Sequence, residues 1–352
     1  MFTIDPNPIS DRPFFGLGAQ ADGYLYDSCN AQFRLTPPDY ELNERRLDEL
    51  RLANTRMFVH VDWFNPSLDG KTFDWDDDDF GCFLKQLKRH RANGTQANLV
   101  LFQPPRPTAG KIPAIVKAMV AMLKHLVADE GFDNIRWLTL WNEPESAFPH
   151  DSPLVRRLFG EDALSRRLSW ADFVAAHRLA LNELAAAGLS DQIRILTPDC
   201  VWGAPLRLER LQLAVDEFGA DDVGYCYHNY SSEDPSFYDG NPDWAYPGIA
   251  AEAAAFRRLV GPDKPLLLTE FNIAGDAFSS RFPGCGKGGV SLIDTIDGAV
   301  AVADKILQAT AAGVDGFTIW CLQDMMFCGQ IGLGEMNFGL WRFKGAAWSP
   351  RP

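Results

Sequence analysis

Two glutamates end stretches of sequence that are otherwise apolar, which is an unusual place for a carboxylate. Glu143 follows LTLWN and precedes Pro144, and Glu270 follows LLLT. A carboxylate at the end of a buried apolar run costs free energy unless it is paired or hydrogen-bonded. Two carboxyl groups, one protonated and one ionised, are what glycosidic bond cleavage requires, because one protonates the leaving oxygen while the other acts on the opposite face of the sugar. The pair therefore predicts carbohydrate chemistry.

Eight short runs could supply the strands that hold these glutamates. Each is rich in apolar, β-branched or aromatic residues and has no polar face, which is typical of parallel strands covered by helices on the outside. The predicted strands are 14–20, 55–63, 97–103, 135–142, 193–199, 223–230, 265–271 and 314–321.

Amphipathic stretches alternate with these runs. The stretch 76–93 has an acidic first turn, Asp76 to Asp79, and a basic last turn, so the aspartates indicate a helix start rather than a metal site. The predicted helices are 39–53, 76–93, 111–129, 170–187, 205–218, 248–260 and 294–312.

This alternation predicts an α/β fold, a single (β/α)₈ TIM barrel over residues 1–352, with an open doubly wound sheet as the alternative. Little chain remains after the last predicted strand, so we expect the eighth helix to be short or missing. Active sites of such barrels lie at the C-terminal ends of the strands. Both glutamates end predicted strands, and we expect them to converge there.

The order of these motifs resembles glycoside hydrolase clan A, and within it the cellulase-type and β-xylosidase-type families. The stretch Trp141–Pro144 matches the acid/base motif of the clan, and Thr269–Phe271 matches its nucleophile motif. The resemblance implies that Glu143 is the acid/base and Glu270 the nucleophile of a retaining mechanism. One departure is Gln103, since the cellulase-type family usually has a histidine at the end of the third strand.

The resemblance also implies roles for five further residues. Asn142 would hydrogen-bond the 2-hydroxyl of the sugar, and Arg56 would lie near the nucleophile and keep it ionised. Tyr230, in the pair formed by His228 and Tyr230, would touch the nucleophile through its hydroxyl. Trp320 would form an aromatic platform under the sugar.

Other candidates come from the residues themselves. Trp63 and Trp202 lie at predicted strand ends or in loops, where their faces could stack on pyranose rings. Gln20 follows the first predicted strand and could bind a hydroxyl. Because Arg56 and a tyrosine hydroxyl would favour the ionised carboxylate, we expect the pKa of Glu270 to be depressed, and we expect Glu143 to lack such a partner and titrate higher.

Composition excludes several classes of function. The net charge of −14 argues against nucleic acid as a partner, and no apolar run reaches the length of a membrane span. The six histidines contain no HxH or HxxxH pair, and GCGKGG at 284–289 lacks the serine or threonine of a phosphate loop, so no metal and no cofactor are predicted. Seven scattered cysteines without a CxxC pair, and the absence of a visible signal peptide, favour a cytoplasmic protein, with secretion after removal of a signal peptide as the alternative.

The sequence therefore predicts a retaining glycoside hydrolase that acts on β-linked oligosaccharides or small glycosides. The alternatives are a transglycosylase that uses the same glutamates, a non-catalytic carbohydrate-binding barrel, and a metal-dependent barrel enzyme. The carbohydrate is the one predicted partner, and the sequence makes no prediction of oligomeric state. The loops 144–169, 231–247 and 275–289 would set the sugar, the linkage and exo or endo action.

Overall fold

The computed structural model describes residues 11–21, 35–102, 109–144, 169–201, 204–230, 248–273, 292–324, 338–342 and 349–352. Eight parallel strands pair in chain order and the last pairs with the first, so the sheet closes into a barrel. This confirms the predicted (β/α)₈ fold. The strands are β1 Gly16–Gln20, β2 Asn54–Val59, β3 Gln96–Leu101, β4 Ile135–Thr139, β5 Arg194–Cys200, β6 Val223–Asn229, β7 Leu266–Phe271 and β8 Gly316–Ile319.

All eight helices of the described residues lie between successive strands, and the connection from β2 to β3 holds two of them, the first a short one. They are α1 Pro37–Leu50, α2 Val61–Phe64, α3 Asp78–Ala92, α4 Ile112–Lys124, α5 Trp170–Ala186, α6 Ala204–Phe218, α7 Ile249–Val260 and α8 Ile296–Ala311. A π-helical turn, His125–Asp129, continues α4, and single 3-10 turns at Ala109–Lys111 and Leu292–Asp294 precede α4 and α8. The described residues after β8 contain no helix, while 325–337 and 343–348 lie outside the described ranges.

The helix starts follow the local sequence chemistry. The side chain of Asp77 caps α3 by accepting the backbone N–H groups of Asp79 and Phe80, both at 3.0 Å. The acidic first turn is thus a helix start, as predicted. Ser169 and Asp172 form a reciprocal capping box at α5, in which each side chain bonds the backbone of the other residue.

Apolar packing inside the barrel forms a floor under its C-terminal rim. Trp137, Leu196, Cys226 and Leu267 make one buried cluster, against which Phe15 packs from the other end. The thiol of Cys226 also lies 3.4 Å from a carboxylate oxygen of Asp199. The apolar floor therefore directly adjoins the polar groups described next.

Within the described ranges, every helix is either too short or too polar to cross a bilayer.

Candidate active site

Glu143 stands four residues beyond the end of β4, at the rim of the barrel. Its backbone φ is +48°, a left-handed conformation that a non-glycine residue adopts at a cost of about 1–3 kcal/mol. The preceding turn is tied to β3, because the N–H of Asn142 donates to the carbonyl of Leu101 at 3.2 Å. About a third of the Glu143 side chain is exposed. The backbone thus holds a carboxyl group at the open end of the barrel.

Glu270 lies on β7 and pairs in register with His228 on β6. Its carboxylate is buried, with Oε2 accepting from Nη1 of Arg56 at 2.8 Å and Oε1 accepting from the hydroxyl of Tyr230 at 2.5 Å. Both oxygens are therefore held by donors that belong to the protein itself.

The two glutamates meet at the same rim. One carboxylate oxygen of each, together with a ring nitrogen of His228, lie within 4.8 Å of one another. The sequence predicted convergence of these residues, and the structure brings them together.

Arg56, on β2, is the centre of the hydrogen bonds below the glutamates. Its guanidinium is fully buried and donates to Glu270, to Oδ2 of Asp199 at 2.8 Å, to Oε1 of Gln20 at 3.0 Å and to Oδ1 of Asn142. Gln20 is itself completely buried, and the bond that its amide oxygen accepts helps to orient Arg56. Its expected role in binding a hydroxyl stays a prediction.

His228 bridges two carboxylates. Its Nδ1 lies 2.9 Å from Oε1 of Glu143, and its Nε2 lies 3.0 Å from Oδ1 of Asp199. The expectation that Glu143 lacks a charged partner was therefore wrong. Register alone could not reveal this contact, because it depends on how far the turn after β4 reaches across the barrel mouth.

Asp199, at the end of β5, is a member of the cluster that the sequence reasoning missed. It is completely buried, has a φ of +59° and accepts the hydroxyl of Thr269 on Oδ1 at 2.7 Å. The signal was present, since Asp199 follows the apolar run ILTP just as each glutamate follows its own run.

The charges in this cluster shift one another's pKa values. Burial works against charge on His228, but Asp199 and Glu270 outweigh it and raise the pKa of His228 to about 10. Burial likewise opposes the charge on Arg56, yet Asp199 and Glu270 raise its pKa above the ordinary value. The pKa of Asp199 is lowered despite its burial, because His228 and Arg56 face it.

The prediction that the pKa of Glu270 is depressed was wrong, because burial raises this pKa above the usual value. His228 and Arg56 pull the pKa down, but nearby Glu143 pushes it up again. Among the described residues, three carboxylates thus face two cations in this cluster. The hydroxyl of Tyr230 stays protonated, since burial and the charge of Glu270 raise its pKa well above the usual value.

An aromatic cluster lines the rim beside Glu270. It joins Trp320 with Phe58, Tyr230 and Phe338, while Trp63 packs on it from α2 with its ring centroid 4.6 Å from that of His60. Trp320 is 6% exposed, and its carbonyl accepts from Asn272 at 2.6 Å. Trp202 lies outside the described residues.

The atoms of Glu143, His228 and Glu270 are close enough to ligate a metal ion. However, Oε2 of Glu270 already binds the guanidinium of Arg56, and His228 bonds a carboxylate through each ring nitrogen. A metal ion would therefore have to displace Arg56 from Glu270 and break a contact between His228 and a carboxylate.

No protein-family model matches this chain, and no curated protein sequence matches it. Solved structures do. β-Glucosidase 1317 superposes with a TM-score of 0.59 at 15% identity over 96% of both chains. A broad-specificity endoglucanase from Clostridium acetobutylicum gives 0.59 at 13% identity over 96% of this chain and 94% of its own. A family 1 β-glucosidase from Thermotoga maritima gives 0.57 at 14% identity, again over 96% and 94%. At such identities the likeness establishes a shared barrel fold.

Proposed function

We propose that this chain is a retaining glycoside hydrolase that cleaves β-glycosidic bonds of oligosaccharides or small glycosides by double displacement. The observation that carries the proposal is the approach of Glu143 and Glu270 oxygens to within 4.8 Å at the C-terminal rim of the barrel. Retaining enzymes hold their two carboxyl groups about 5–5.5 Å apart, whereas inverting enzymes leave about 6.5–9.5 Å for a water molecule. The shorter separation favours retention.

In the first step, the carboxylate of Glu270 attacks the anomeric carbon while the bond to the leaving oxygen breaks. Glu143 gives its proton to that oxygen, and a glycosyl ester forms on Glu270. In the second step, Glu143 takes a proton from water, the water oxygen attacks the anomeric carbon, and Glu270 leaves as a carboxylate. Two inversions restore the original configuration.

The surroundings of each glutamate suit its step. Arg56 and Tyr230 hold the oxygens of Glu270, so the nucleophile is oriented before attack. Glu143 is more exposed and bonds His228, which can share the proton that Glu143 gives and later takes back. Asn142 lies between Arg56 and the rim, where its amide could meet a sugar hydroxyl.

The fold neighbours support the choice of β-glycosides, because their names describe β-glucosidases and an endoglucanase. The aromatic cluster around Trp320 supports a sugar as the ligand, since aromatic faces suit the C–H faces of pyranose rings.

The test is a screen of aryl β-glycosides and β-oligosaccharides with the product anomer followed by NMR. Retained configuration is expected, and an inverted first product would contradict the mechanism. A 2-fluoro glycoside with a good leaving group should label Glu270, and a label on another residue would remove Glu270 from the role. Activity that a chelator abolishes would instead favour the metal-dependent alternative. Longer products at high substrate concentration would identify transglycosylation.

A further inference from the structure

We propose that Asp199 is a positioning residue for proton transfer, which holds His228 so that Nδ1 of its ring always faces the acid/base Glu143. This inference rests on the proposed function and assigns a task to a residue that never needs to touch the sugar. The geometry that carries it is a pair of contacts through opposite nitrogens of one imidazole ring, 3.0 Å from Nε2 to Asp199 and 2.9 Å from Nδ1 to Glu143.

Asp199 is itself held from several sides. Its Oδ1 faces Nε2 of His228 and accepts from Thr269, while its Oδ2 accepts from Arg56 at 2.8 Å. An ionised carboxylate can only accept, so Nε2 of His228 must carry a hydrogen. The protonation of Nε2 is thereby fixed by Asp199, and only Nδ1 remains free to gain or lose a proton.

This arrangement serves both steps of the proposed reaction. When Glu143 is ionised, Nδ1 of the imidazolium donates to it. When the proton passes from Nδ1 to Glu143 during turnover, the ring becomes neutral and Nδ1 accepts from the carboxyl group. A ring turned over, or held with hydrogen on Nδ1 alone, would support only one of these states.

Asp199 also contributes a negative charge to a group of titratable residues in contact with one another. The titratable and charged groups of the packed elements that face one another here are Arg56 on β2, Glu143 after β4, Asp199 on β5, Cys226 and His228 on β6, Tyr230 after β6, and Glu270 on β7. Removing one negative charge lowers the proton affinity of the whole group, whichever residue holds the proton. The loss of the active protonation state should therefore occur at lower pH.

The matched control is Asp315, which is also a buried aspartate with two cationic partners, in this case both arginines. It precedes β8 at the opposite end of the barrel and bonds Nε of Arg12 at 2.9 Å and Nη2 of Arg257 at 2.5 Å. Asp315→Asn makes the same chemical change as Asp199→Asn and breaks a comparable ion pair. It should lower thermal stability and leave the pH profile where it is in the wild type.

The kinetic test measures kcat/KM, which reports the first step, against pH for two substrates. For Asp199→Asn we expect the basic limb to move down by about one pH unit. The loss should be about 10²-fold on a substrate with a poor leaving group and much smaller on an activated aryl glycoside, which needs little protonation. Equal losses on both substrates with an unmoved limb would overturn the proposal.

Thr269→Val tests the same idea with the charge kept. The change removes a donor that competes with His228 for Oδ1 of Asp199, so the basic limb should move to higher pH, opposite to Asp199→Asn. A shift to lower pH would count against the proposal. This variant also keeps the test decisive if Asp199→Asn does not fold.

A readout independent of turnover separates this inference from the proposed function. In ¹⁵N-histidine spectra, with His228 assigned by its loss in His228→Gln, both ring nitrogens should stay protonated up to about pH 10 in the wild type. In Asp199→Asn the ring should deprotonate at least about one pH unit lower. An unchanged titration overturns the role of Asp199 even if sugars are cleaved. A shifted titration in a protein that cleaves no β-glycoside supports the coupling and refutes the proposed function instead.

Discussion

Glu270 belongs to the barrel mouth, by which we mean the charged cluster at the C-terminal rim. Glu252 belongs to the outer wall, the layer of helices that includes α7 and α8. The two glutamates are buried to a similar extent, yet their surroundings differ. Glu252 lies on α7 and is 2% exposed, against 6% for Glu270. Oε1 of Glu252 accepts two hydrogen bonds from Arg207, at 2.8 and 2.6 Å, and Oε2 accepts from Asn229 at 2.5 Å. Each glutamate thus pairs with an arginine and with one further donor. Burial and ion pairing alone do not distinguish them.

The balance of charge does distinguish the two regions. In the mouth, the cations that Glu143, Asp199 and Glu270 face among the described residues are Arg56 and His228. In the wall, Glu252 faces Arg207 and, through the amide of Asn229, also Lys305. Lys305 in the wall also donates to the backbone carbonyl oxygens of Asn229 and Asn272 at 3.3 and 2.8 Å. In the mouth, by contrast, the negative charge of neighbouring Glu143 adds to burial in raising the pKa of Glu270.

The backbone conformation also differs between the mouth and the wall. Glu143 and Asp199 both adopt left-handed φ values, whereas Glu252 lies within a regular helix. Strained conformations persist where the surroundings enforce them, often because a side chain must point in a particular direction. Unbalanced charge together with backbone strain therefore distinguishes the mouth from the wall.

The difference between the two regions is tested most directly by making the same substitution in both. Glu270→Gln should lower kcat by about 10⁴-fold or more, because the nucleophile is lost. Glu252→Gln should keep kcat within about tenfold and lower the free energy of unfolding by about 3 kcal/mol, since Arg207 loses its charged partner in a buried site. Steady-state kinetics and urea unfolding on both variants measure this. Comparable losses of kcat would show that the two glutamates are not functionally distinct.

Glu143→Gln tests whether Glu143, rather than Glu270, is the proton donor in the mouth. The amide cannot donate the proton of a carboxylic acid, so kcat/KM on a substrate with a poor leaving group should fall by about 10²–10⁴-fold. An activated aryl glycoside should lose far less, because its leaving group departs without protonation. The measurement is kcat/KM over a series of leaving groups. A uniform loss across the series would assign Glu143 to binding.

Lys305→Met tests whether the wall acts only on stability. Methionine keeps the length of the side chain but leaves the oxygens of Asn229 and Asn272 without their donor, at a cost of about 2–3 kcal/mol in unfolding free energy. The pH profile of kcat/KM should keep both limbs where they are. A moved basic limb would mean that the wall contributes to proton transfer through Asn229, the neighbour of His228.

The sequence predicted most of the barrel and some of the residues of its mouth. Apolar runs without a polar face predicted all eight strands, and the error lay at their ends. The strand predicted to reach Trp63 stops at Val59, because VDWF forms a helical turn that its β-like composition does not reveal. The glutamates were found as carboxylates that end apolar runs, and the same rule would have found Asp199.

Other features depend on how distant elements pack, so no local pattern could predict them. The link between Glu252 and Lys305 exists only because α7 and α8 present these residues to the same strand ends. The sign of the pKa shift of Glu270 was mispredicted for a related reason. A nearby arginine lowers the pKa, but the extent of burial decides the net direction, and burial is a property of the folded barrel.

The smallest expected effect concerns His177, which the core buries as completely as the mouth buries His228. Its Nδ1 lies 2.8 Å from the carbonyl of Phe173 with no carboxylate beside it in the contacts described, and burial lowers its pKa to about 4. Between pH 6.5 and 4 the unfolded chain then binds more protons than the folded chain, so stability falls as the pH falls. His228, whose pKa is raised, contributes stability below pH 6.5 that is lost as the pH rises towards 10.

His177→Phe should reduce the acid-side loss of unfolding free energy by about 1–3 kcal/mol, measured by urea unfolding from pH 7 to 4. An unchanged pH dependence would show that His177 does not stay neutral in the folded wall, and the contrast between the two histidines would fail.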